Sequence, residues 1–122
     1  MKLKPLRRAF SVCTAADYSQ VRWDAEYLFI GKTDEEHSLV CLTEDVPANV
    51  LQREDGWAGF RVQGPLDFSL TGILAGLAET LAKNGIPIFA VSTYQTDYIL
   101  IRQDHEQRAL DLLARTGHEI VD

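Results

Sequence analysis

Long apolar runs are missing from this sequence: none approaches the ~20 residues that span a bilayer. No secretory leader is expected from the first residues either. Ala9 to Ala16 is broken by Ser11 and Thr14, so it makes a poor apolar core for a signal peptide. The chain is therefore read as soluble and cytoplasmic, with no membrane partner. Excess positive charge is absent as well. The formal net charge is -6 over 122 residues, which argues against nucleic acid as a partner. The basic start, Met1 to Arg8, is short and reads as a solubilising terminus rather than a phosphate-binding arm. The only two cysteines, Cys13 and Cys41, lie far apart in apolar strand-like runs and read as buried free thiols rather than a disulfide. His37, His105 and His118 are scattered, with no metal-ligand spacing, so no metal site is expected.

Catalytic signatures are equally scarce. Ser11, Ser38, Ser69 and Ser92 lack the G-x-S-x-G setting of a nucleophile. No phosphate loop and no G-x-G-x-x-G follow a strand. Asp34-Glu35-Glu36 and Glu44-Asp45 read as solvated acidic surface without calcium-loop spacing. The expectation is a protein that is not an enzyme and needs no cofactor.

What is present is ordinary globular composition, with 46% apolar and 25% charged residues. The second half carries the clearer pattern. Trp57 to Gln63 alternates, with Ala58, Phe60 and Val62 on one face, as in a strand. After Gly64-Pro65, residues Leu70, Ile73, Leu74, Leu77, Ala78 and Leu81 form one apolar helical stripe. Ser69 or Asp67 can cap its start. Asn84-Gly85 stops it. Ile86 to Val91 and Tyr98 to Ile101 read as strands joined by Ser92-Thr-Tyr-Gln-Thr-Asp97. A helix follows, with Asp104 and Gln107 spaced as a capping box and Ala109, Leu110, Leu113 and Ala114 on its apolar face. Gly117 ends it before a terminal strand, Glu119 to Val121. The order β-α-β-β-α-β is the ferredoxin-like arrangement, an α+β fold with both helices on one face of a four-stranded antiparallel sheet.

The first half repeats this plan imperfectly. Strands are expected at Phe10 to Cys13, Tyr27 to Ile30 and Leu39 to Leu42. A helical turn is expected within Asp17 to Trp23, and a short helix at Pro47 to Gln52 with proline in its first turn. The chain is divided into a degenerate unit, 1–61, and a complete one, 62–122.

Two connections in the second half suit a ligand. Gly64 to Gly72 leads from a strand end into a helix N-terminus, whose unpaired N–H groups and dipole favour a carboxylate. The same residues also suit plain capping. Ser92 to Asp97 offers Asp97 for an ammonium or guanidinium group, Thr93 as a hydroxyl and Tyr94 as an aromatic wall. It also suits a solvated turn.

At these segments the sequence resembles a known family. Lys32-Thr-Asp-Glu-Glu-His-Ser-Leu-Val-Cys41, Gly56-Trp57 with Arg61 to Leu74, and Ile88 to Leu100 with its Ser-Thr-Tyr-Gln-Thr-Asp-Tyr block are similar to small ACT-domain proteins. Those proteins are related to the CASTOR arginine sensors and to the regulatory domains of aspartate kinases. The resemblance implies tandem ACT-like units and a free amino acid bound between units. By position it implies ligand contacts at Asp67, Phe68, Ser69, Leu70, Thr71, Gly72, Thr93, Tyr94 and Asp97. It implies a regulatory role, a homodimer and a regulated enzyme as partner. Leu70 stands where the arginine sensors carry an acidic residue, and this chain has about two units rather than four, so arginine specificity does not carry over. The rival readings are an ACT-fold interaction module without ligand and a small enzyme using Asp67 and Asp97.

Overall fold

The computed structural model describes residues 1–63 and 72–122. The strands are β1 (Lys2–Pro5), β2 (Phe10–Ala15), β3 (Leu28–Lys32), β4 (His37–Leu42), β5 (Val50–Val62), β6 (Phe89–Ser92), β7 (Asp97–Arg102) and β8 (Glu119–Ile120). The helices are α1 (Ile73–Lys83) and α2 (Glu106–Arg115). Contacts divide the chain into two units, one of Met1–Arg7 with Ala58–Asp122 and the other of Arg8–Trp57. This differs from the expected cut near residue 61 because the first residues belong with the last. Leu3 and Pro5 pair with Val62 and Phe60 of β5, while Lys2 and Leu3 pair in parallel with Glu119 and Ile120.

The Ala58–Asp122 unit runs β5-α1-β6-β7-α2-β8, the ferredoxin-like order. Its strands lie side by side as β6-β7-β5-β1-β8. The expected four-stranded sheet therefore gains β1, inserted between the first and last strands of the motif. The start is not a free basic terminus. Leu3 is fully buried while Lys2 is exposed, the alternation of a half-buried strand. Phe60 and Val62 of β5, Ile99 and Ile101 of β7, Leu77 and Leu81 of α1, and Ala109, Leu110 and Leu113 of α2 close into one core. Both helices therefore cover the same sheet face. Burying each such leucine contributes roughly 1.5–3 kcal/mol, and helices of 11 and 10 residues are too short to persist without that packing.

Helix α1 stops at Asn84, with Gly85 in the left-handed region, as the sequence indicates. At its start the N-cap is Gly72; the expected capping residues, Ser69 and Asp67, lie outside the described residues. Helix α2 differs from the expectation. Gln103–His105 form a 3-10 turn, and His105 caps α2 without any side-chain bond, so the Asp104–Gln107 capping box does not form.

The Arg8–Trp57 unit places its strands as β3-β4-β2-β5. That is the ferredoxin-like order again, with no α-helix among its elements. Asp17 to Trp23 forms turns rather than a helical turn. Asp17 Oδ1 accepts from Ser19 N at 2.9 Å and from Asn49 Nδ2 at 3.0 Å, which holds the segment open. The expected helix at Pro47 to Gln52 is replaced by a turn and the start of β5. Pairing of Val50 to Trp57 with β2 outweighs the local preference of a proline-led start. Gly56, at φ 88°, sits at a register shift between β2 and β5, a bulge that needs the left-handed region.

The core of this unit is Cys13, Ala15, Val21, Leu39 and Cys41. The two cysteines, distant in sequence, share it as free, buried thiols. Their mutual hydrogen bond lowers the Cys13 thiol and, with burial, raises that of Cys41. Among the described residues, no helix is long and apolar enough to cross a membrane.

The two hairpins match by a shift of sixty residues: His37–Leu42 with Asp97–Arg102, and Thr43–Asp45 with Gln103–His105. Their turns match as well. Thr33 N donates to Glu36 O at 3.1 Å and Thr93 N to Thr96 O at 2.8 Å. The α+β fold therefore carries the ferredoxin-like strand order in both units, with α-helices in only one of them.

Candidate functional site

The two connections that the sequence singles out leave from one corner of the Ala58–Asp122 unit. The first begins where β5 ends at Val62, and the second is the turn between β6 and β7. Thr96 Oγ1 donates to Val62 O at 2.5 Å, which pins that turn to the end of β5. Thr96 is buried, so this bond is made away from water and fixes the corner.

Asp67, Phe68, Ser69, Leu70 and Thr71 lie outside the described residues. Gly72 is exposed at the start of α1 with φ 80°. No heavy atom lies within 4 Å of the point where a Cβ would stand. A side chain would have room there, but it would meet left-handed backbone strain. Thr93 builds the turn. Its hydroxyl donates to Thr96 O at 3.0 Å and accepts from Thr96 N at 3.3 Å. Tyr94 is 84% exposed. Asp97 opens β7, where its carboxylate accepts from Ser92 Oγ at 2.6 Å. By strand alternation Asp97 shares the face of Ile99 and Ile101, which the helices cover. Thus Thr93, Tyr94 and Asp97 occupy one turn, with Asp97 on the helical side of the sheet.

The opposite side of this corner holds residues that the sequence reading passes over. A cavity of about 170 Å³ is lined by Arg61, Val62, Gln63, Gln95, Thr96 and Tyr98. Arg61 Nε donates to Gln63 Oε1 at 3.3 Å, and Nη1 donates to Tyr98 Oη at 3.4 Å. The signal is present in the alternation of Trp57 to Gln63: if Phe60 and Val62 point into the core, Arg61 and Gln63 share the other face.

The Arg8–Trp57 unit has a larger groove of about 600 Å³, whose lining includes Val12, Thr14, Glu36, Ser38, Gln52 and Glu54. Nearby, buried Ser11 donates to Asp55 Oδ1 at 2.5 Å and lies 2.9 Å from Thr43 Oγ1. The Ser11 bond, followed by that of Arg53, holds the Asp55 carboxyl below its ordinary value. Among the described residues, no group of three or more His, Cys, Asp or Glu is placed to hold a metal ion.

Comparison with known proteins gives the family. The ACT-domain model matches residues 52–115. No curated protein matches the chain. A solved structure of an Agobacterium tumefaciens protein is similar, with 35% identity and a TM-score of 0.83, over 98% of this chain and 91% of that one. A Vibrio cholerae protein of unknown function, described as a possible transport protein, shares the fold at 19% identity and TM-score 0.71, over 93% of this chain and 88% of that one. Aspartokinase alpha and beta subunits share it at 10% identity and TM-score 0.62, over 94% and 96% of the two chains. The match of the family model over β5 to α2, on a strand order that is ferredoxin-like, makes this chain a member of the ACT-domain family.

Proposed function

We propose that this regulatory ACT protein binds a free amino acid at the corner where β5 gives way to α1 and β6 turns into β7. The observation that carries the reading is the Thr96–Val62 hydrogen bond, which joins the origins of both connections. In this reading the amides of Leu70 to Gly72 hold the α-carboxylate, with Asp67, Phe68 and Ser69 completing the first connection. Asp97 takes the ammonium group in exchange for, or together with, the Ser92 hydroxyl. Thr93 and Tyr94 form the wall. The Arg8–Trp57 unit is read as a degenerate copy that supports the complete one rather than as a second sensor. Among the described residues strand β6 pairs with β7 alone, and its other edge is offered to a second copy, so a homodimer is expected. The output is the regulation of an enzyme partner in the cytoplasm.

The test is thermal unfolding of the full chain against each of the twenty amino acids. A true ligand at a hundred times its Kd adds roughly 2.7 kcal/mol of stability. A folded sample that shifts with none of them contradicts the reading. One observation favours an interaction module without ligand: Tyr94 is 84% exposed, and aromatic rings are enriched at protein interfaces. Co-purification of an enzyme that is lost on Tyr94→Ala, in a protein that no amino acid stabilises, would favour that alternative.

A further inference from the structure

We infer that the cavity beneath Arg61 is a binding site for a small carboxylate anion, separate from the amino-acid site on the helical side of the sheet. Arginine carries five N–H donors in a planar fork suited to a carboxylate. At Arg61 the two contacts within the protein are long, 3.3 Å to Gln63 and 3.4 Å to Tyr98, and both go to neutral groups. They lie beyond the usual 2.7–3.2 Å range for such bonds, so they orient the guanidinium without neutralising it. Arg7, Arg8, Arg22 and Arg53 each hold a carboxylate, whereas among the described residues Arg61 has no such partner. The neighbouring acid, Asp97, is engaged by Ser92 and lies on the other face.

The rest of the lining fits an anion. Gln63 and Gln95 bring amides, Tyr98 brings a phenol, and no carboxylate lines the cavity among the described residues. Its volume of about 170 Å³ is small beside the roughly 300–1,000 Å³ of drug-sized sites, which points to a compact ligand such as a short dicarboxylate. The groove of the other unit is a built-in contrast. Its hairpin residues Glu36 and Ser38 match Thr96 and Tyr98 under the sixty-residue shift. Its arginine, Arg53, is already paired with Asp55, and Glu36 with Glu54 would oppose an anion there.

The experiment is titration calorimetry of the full chain with succinate and, in parallel, with inorganic phosphate. Succinate is expected to bind. Arg61→Gln is expected to weaken it by about tenfold or more, the loss of a charge-assisted hydrogen bond. Arg61→Lys should retain part of the affinity and Glu36→Gln all of it. Circular dichroism checks that the variants fold, and Arg61→Lys keeps the test informative should Arg61→Gln unfold. No binding of succinate, unchanged binding by Arg61→Gln, or phosphate binding tighter than succinate overturns the assignment. The amino-acid site also takes a carboxylate, so it is the loss of succinate binding in Arg61→Gln, and not succinate binding by itself, that assigns the ligand to this cavity. Amino acids that stabilise wild type and Arg61→Gln equally would leave that reading standing while succinate decides this one.

Discussion

The hairpin of β6 and β7 and the hairpin of β3 and β4 are the same device, sixty residues apart, under different cover. In the Ala58–Asp122 unit two helices seal the strands. In the Arg8–Trp57 unit the equivalent face is closed by Tyr18, Val21 and Val46 from loops. The strand order and turn chemistry are the same with helices and without them. Strand pairing therefore specifies this fold, while the helices supply core volume and, in the proposed reading, the start of α1 supplies amides for a ligand. The two cavities differ in charge as well: Arg61 and neutral polar groups line one, while in the other Arg53 stands with two glutamates, Glu36 and Glu54.

The largest expected effect that sharpens this contrast is in the cores. Leu81→Ala, at a fully buried position against both sheet and helix, should cost about 2–5 kcal/mol. Val21→Ala in the loop-covered core should cost about 1–2 kcal/mol, the loss of two methyl groups. Urea denaturation measures both, and equal losses would show that loops seal as well as helices. Next, Gly72→Ala should destabilise by about 1–2 kcal/mol through left-handed strain, since nothing lies close enough to clash. Stability unchanged by the substitution would remove Gly72 as a strained start to α1. Smaller still, Thr33→Val and Thr93→Val should each lose about 0.5–1.5 kcal/mol, because each hydroxyl ties its own turn. A large difference between them would break the equivalence of the two turns.

The units should also differ in their response to acid. Burial holds His118 of the helical unit below its ordinary 6.5. Its neutral form is favoured on folding, so its contribution is complete above 6.5 and is lost as pH falls toward the lower folded value. Asp55 of the other unit is held below 3.8, chiefly by the Ser11 hydroxyl. Its contribution is present above 3.8 and is lost only as pH falls through the folded value. Titration by NMR should show His118 taking its proton well before Asp55, and Ser11→Ala should move Asp55 upward. An Asp55 value unmoved by Ser11→Ala would contradict the assigned cause.

The complete unit is legible in the sequence because its apolar residues keep strand and helix periods and its helices end at Asn84-Gly85 and Thr116-Gly117. Strand β1 is hidden because Lys2, Lys4 and Pro5 mask a single buried leucine, and its partners lie near residues 60 and 120. Pro47 suggests a helix, but the preference of one turn is weaker than a ladder of pairs to β2. The cysteine pair is equally hidden, because contacts across strands do not show in sequence spacing. At the candidate site, the joining of the two connections follows from the fold. Arg61 does not, because the alternation of Trp57 to Gln63 marks its apolar members and gives no role to the face they leave behind.

The most direct measurement is amide chemical-shift mapping of the full chain during titration with whichever amino acid stabilises it most. The expected result is perturbation centred on Gly72, Thr93, Thr96 and Asp97, with the Arg8–Trp57 unit little changed. Perturbations centred on β2 and β4, or none with any amino acid, would contradict a ligand site at the corner pinned by Thr96.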